Sequence, residues 1–109
     1  MKYFVYDHER KGTNYYEFYK GKWDGVTFWH PESISIDDNI IFKNPNFVDS
    51  IKTIVPSYDP FGETEISKEE WQEIGRQITD EKSRKLYEEA TEWLNTIWDE
   101  YHCFTIIGL

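Results

Sequence analysis

Apart from the carboxylates, the side chains suited to bind a metal or carry a proton near neutral pH are three histidines, His8, His30 and His102, and one cysteine, Cys103. A metal site needs several such ligands converging on one point. No two of the histidines stand at a ligand spacing. His102 and Cys103 are adjacent, so in an extended run they point to opposite sides. His30 precedes Pro31, which favours extended or turn backbone there. A lone cysteine between Tyr101 and Phe104 is expected to be a small, buried, inert hydrophobe. The G-x-S-x-G and phosphate-loop patterns are absent, and the six glycines are scattered. Carboxylates occur in pairs at Asp37-Asp38 and Glu69-Glu70. Acid–base catalysis needs two carboxyls whose environments push their pKa values apart, which adjacent acids do not suggest. Glu70 instead follows Ser67 by three positions, the spacing of a capping box. These residues predict neither a catalytic centre, a cofactor nor a metal. A cleft holding one of the histidines beside a carboxylate would point to a small enzyme instead.

The remaining chemistry is charge. The chain has 21 acidic and 12 basic residues, a net charge of −9. Phosphate binding needs a basic face, so nucleic acid is not the expected partner, nor is an anionic membrane surface. A basic protein is the natural complement. The charge is uneven: residues 31–66 and 86–109 each carry a net −5, while residues 67–85 are neutral. In the first block Asp59, Glu63 and Glu65 interleave with Tyr58 and Phe61, and Pro60 and Gly62 shape the loop. Acids beside aromatic anchors suit a protein interface. The second block holds Glu88, Glu92 and Asp99, with no basic residue after Lys85. Glu88 and Glu92 are like charges four apart. Asp99 and Glu100 fall in the expected last turn of a helix, where the dipole prefers cations. Asp59, Phe61, Glu63, Glu65, Glu88, Glu92 and Asp99 are therefore the predicted partner-binding residues.

These side chains must be positioned by elements that the pattern outlines. Residues 2–6, 15–19, 26–29 and 33–36 read as strands, and 40–42 as a further short apolar run. Residues 43–66, with three prolines and a glycine, read as irregular. Ser67 opens a helix with Trp71, Ile74 and Ile78 on one stripe. Thr79 and Asp80 offer caps for a second, carrying Leu86, Ala90, Trp93, Ile97 and Tyr101 over about five turns. Residues 103–107 form a last β run, which either returns to the sheet or offers an exposed edge. Strands followed by helices predict an α+β single domain spanning 1–109: an antiparallel sheet with two C-terminal helices on one face and a short C-terminal strand. The aromatics of 15–29 are too many for one core face. Their second face is the basis of an alternative reading, a module that stacks a small ligand or peptide. The start of the chain lacks an apolar leader, and one cysteine fits a reducing compartment, so a cytoplasmic location is expected.

A small acidic α+β chain with Trp93 and Trp98 near its end and the tail Cys103-Phe104-Thr105-Ile106-Ile107-Gly108 resembles the immunity proteins of bacterial polymorphic and contact-dependent toxin systems. The resemblance implies a cytoplasmic inhibitor that neutralises a cognate basic toxin domain, commonly a nuclease, by covering it with an acidic surface.

Overall fold

The computed structural model describes residues 1–109. The elements run β1 (Phe4–Tyr6), β2 (Tyr15–Lys20), β3 (Ile34–Asp37), α1 (Asp38–Phe42), α2 (Pro45–Ile54), β4 (Glu63–Ser67), α3 (Lys68–Gln77), α4 (Glu81–Leu94) and β5 (Cys103–Ile107), with a 3₁₀ turn at Asp7–Glu9. The strands form one sheet of order β1-β3-β2-β5-β4, and every neighbouring pair is antiparallel. This is the α+β class that the pattern predicts.

Alternation along the strands separates two faces. Phe4, Tyr16, Phe18, Ile34, Ile36, Ile66, Phe104 and Ile106 point to the helices and join the buried core. Trp71 of α3 lies at the centre of it. Its ring meets Phe18, Phe47 and Phe104 edge-on and stacks on Tyr87 at 4.6 Å. Its indole N–H donates to Thr91 Oγ1 at 3.0 Å, so the one polar atom of the ring is satisfied. The helix starts follow their caps. Ser67 and Glu70 form the capping box, and Asp80 accepts from the Ser83 N–H.

Several boundaries differ from the sequence reading. Residues 26–29 form no strand, because Asp24 gathers the Val26 and Thr27 N–H groups into a turn. The apolar run 40–42 belongs to α1, which Asp37 caps through the Asn39 N–H. The supposedly irregular stretch contains α2, started by Pro45 at its first turn, and β4. The last helix ends at Leu94, and residues 95–100 continue as turns. Asp99 and Glu100 therefore lie beyond the helix, and the dipole argument does not apply to them. The final strand is not an edge: β5 lies between β2 and β4.

Candidate partner-binding surface

The sheet face away from the helices is closed over its middle by the chain itself. Residues 21–32, between β2 and β3, fold across it. Glu17 of β2 is 1% exposed, and its carboxylate accepts the N–H groups of Trp29 at 2.7 Å and His30 at 3.0 Å. Trp29 has a left-handed φ of 59°, uncommon for a large residue. The Arg10 guanidinium stacks 3.7 Å from its ring centroid, and Asp7 holds Arg10 in turn at 2.9 Å. Further along, the Trp23 N–H donates to Thr105 Oγ1. The broad aromatic sheet face expected from residues 15–29 is thus covered rather than open.

The covering loop stops short at the far end of the sheet, and there a groove of about 590 Å³ opens. Trp23, Phe28 and Phe61 form its walls and Ile107 its floor, with Asp59 and Glu63 at the rim. Phe61 is 76% exposed and Phe28 56% exposed, which is unusual for aromatics in a chain with a filled core. Trp23 and Phe28 lie 5.2 Å apart and brace each other. The loop that presents Phe61 is built by Asp59, whose carboxylate accepts the Phe61 N–H at 2.9 Å. The tail locks it: Gly108 N–H donates to the Gly62 carbonyl and Leu109 N–H to the Pro60 carbonyl. A Cβ at Gly108 would run into that Pro60 carbonyl, so the close approach needs glycine.

Four of the predicted residues come together here. Asp59, Phe61 and Glu63 line the groove, and Glu65 stands two residues along β4, beside Lys22 and Trp23. Glu63 and Glu65 are exposed and form no ion pair. Cys103, opposite Ser67 on β5, is half-buried rather than fully buried. Burial and the charge of Glu65 push its thiol up to about 11, which keeps it protonated and unreactive.

The other three do not join this group. Glu88 and Glu92 line a shallow depression with Lys2 and Tyr3, beside β1 at the opposite edge of the sheet. Asp99 lies in the turns after α4 and lines no groove. Part of the second acidic block is structural, because Glu89 accepts the N–H groups of Lys2, Tyr3 and Phe4. The sequence reading did not place Trp23 and Phe28 beside Phe61. Nothing local to residues 23–28 signals that they fold back towards the loop at 59–62. No group of three or more His, Cys, Asp or Glu side chains is placed to hold a metal ion, and no helix is long and apolar enough to cross a membrane. Comparison with protein families, curated proteins and solved structures finds no match to this chain.

Proposed function

We propose that the protein binds a basic protein partner through the Phe28–Phe61 groove and its acidic rim. The form that its resemblance to immunity proteins suggests is neutralisation of a toxin domain by occlusion. The observation that carries this is the pairing of two exposed aromatics with three carboxylates, Asp59, Glu63 and Glu65, that form no ion pair and have a single lysine, Lys22, beside them. Aromatic anchors supply buried area, and unpaired acids at the rim steer and select a basic surface. The aromatic walls also suit the reading as a peptide-binding module, which differs only in whether the occupant is a folded surface or a short segment.

Photo-crosslinking tests the proposal. A benzophenone amino acid is placed at Phe28, at Phe61 and, as a control, at Phe42, which is 82% exposed on α1. In the cell of origin, positions 28 and 61 should yield an adduct with one protein of high pI, weakened by salt, while position 42 yields none. Adducts equal at all three positions, or an acidic partner, would overturn the proposal. If the occluded protein is a toxin, co-expression with it should restore growth, and Phe61→Ala should impair that rescue.

A further inference from the structure

The two edges of the sheet are finished differently. Backbone hydrogen bonds alternate along an antiparallel pair, so every second residue of an edge strand turns its N–H and C=O outward. On β1 the outward residues are Phe4 and Tyr6. Both N–H groups are occupied by carboxylates, Phe4 by Glu89 at 2.7 Å and Tyr6 by Glu9 at 2.9 Å. On β4 the register is set by Gly108 N–H to the Gly62 carbonyl at 2.7 Å and Lys68 N–H to the His102 carbonyl at 3.0 Å. Even-numbered residues of β4 therefore bond to β5. The odd-numbered ones face out. Ser67 N–H is taken by Glu70 in the capping box. The N–H and C=O groups of Glu63 and Glu65 are left free. They form a short open edge, and both side chains stand on the sheet face that holds the groove.

The geometry points to strand addition at this edge: a basic extended segment of the partner pairs antiparallel with Glu63 and Glu65. This rests on the binding reading above and specifies its mode. Main-chain bonds to an open edge supply affinity, while alternate side chains supply specificity. Residues directly opposite Glu63 and Glu65 share their face of the sheet, so lysine or arginine there meets both carboxylates. An apolar residue nearer the groove reaches Phe61 and Phe28. A second copy of this chain is not the occupant, because antiparallel pairing of two β4 edges sets glutamate against glutamate.

The test uses a capped seven-residue peptide alternating lysine and valine, and two N-methylated forms of it. In the proposed pairing the lysine N–H groups bond to the edge and the valine N–H groups point away. The peptide should slow amide exchange at Glu63 and Glu65. N-methylation of the lysines should weaken binding about tenfold or more, and N-methylation of the valines should not. Equal binding by all three peptides, no binding at millimolar concentration, or a dimer of the protein alone with protected Glu63 and Glu65 amides would each overturn strand addition. The crosslinks from Phe28 and Phe61 do not depend on main-chain pairing. The wider reading stands or falls on them separately.

Discussion

The carboxylate of Glu89, on the third turn of α4, accepts the backbone N–H of Phe4 at 2.7 Å and that of Tyr3 at 2.8 Å, tying the last long helix to the first strand. One charged group thus satisfies donors that no strand pairs. Replacing it by alanine leaves the part-buried N–H groups without a partner. Glu89→Ala is expected to destabilise the fold by about 1–3 kcal/mol in urea denaturation, with Glu89→Gln costing less. It should also raise the tendency to self-associate, because it opens a second edge.

Glu63 and Glu65 lie at one edge of the sheet and Glu88 and Glu92 beside the other, so the two pairs are separable by mutation. Charge reversal at the groove, Glu63→Lys with Glu65→Lys, should slow association with a basic partner by about tenfold at low salt and flatten its salt dependence. Glu88→Lys with Glu92→Lys should change the rate far less. Stopped-flow association across a salt series checks this. Equal effects from the two pairs would show that the groove is not the binding edge.

The Cys103 thiol reports on the same edge. Its pKa is pushed up to about 11 from 9.0, first by burial and then by Glu65. Alkylation at pH 8 should be about a hundredfold slower than for a free cysteine. Glu65→Gln removes a negative neighbour, so it should lower the pKa and speed the reaction. Iodoacetamide labelling followed by mass spectrometry reads both rates.

Alkaline pH should loosen the fold. Burial, then the hydrogen bond to Asp38, raises the Tyr16 hydroxyl from 10.0 to about 12, and burial raises Tyr58 as well. A folded pKa above the unfolded one means that the native state holds its proton longer, so this stability is lost as pH rises. The loss is under way at pH 9.0, the ordinary thiol value at which unfolded Cys103 is half ionised, and continues through the tyrosine range above 10.0. Urea midpoints should fall across that range. Tyr58→Phe should flatten the fall, although it removes a buried hydroxyl.

Much of the architecture was legible because periodicity and caps act locally. The Trp71–Ile74 face of α3, the Ser67–Glu70 box and the strand readings at 2–6, 15–19, 33–36 and 103–107, which fall on β1, β2, β3 and β5, all rest on short-range patterns; Ile78, the third member of that stripe, is buried just past the helix end. The failures have tertiary causes. Glu63–Ser67 is a strand because β5 pairs with it, and nothing within SYDPFGETEI states that. Residues 26–29 are β-branched and aromatic enough to read as a strand, yet buried Glu17 draws the N–H groups of Trp29 and His30 across the sheet. Within the candidate site, Asp59, Phe61, Glu63 and Glu65 could be grouped by adjacency alone. Trp23 and Phe28 could not, because it is the loop after β2, crossing to β5, that brings them beside Asp59, Phe61 and Glu63. Glu88 and Glu92 could be named from charge but not placed, since their edge is set by where α4 packs.

The central position of β5 has a consequence for the order in which the molecule can form. Thr105, which bonds to the Gly21 carbonyl, is separated from it by 84 positions. At ordinary synthesis rates of about 5–20 residues per second, Gly21 is made roughly 4–17 s before Thr105. Until β5 is added, β2 can pair only with β3, and β4 has no neighbouring strand. The groove lacks its floor until Ile107 arrives, so the binding surface cannot form before residues 1–107 have all been made.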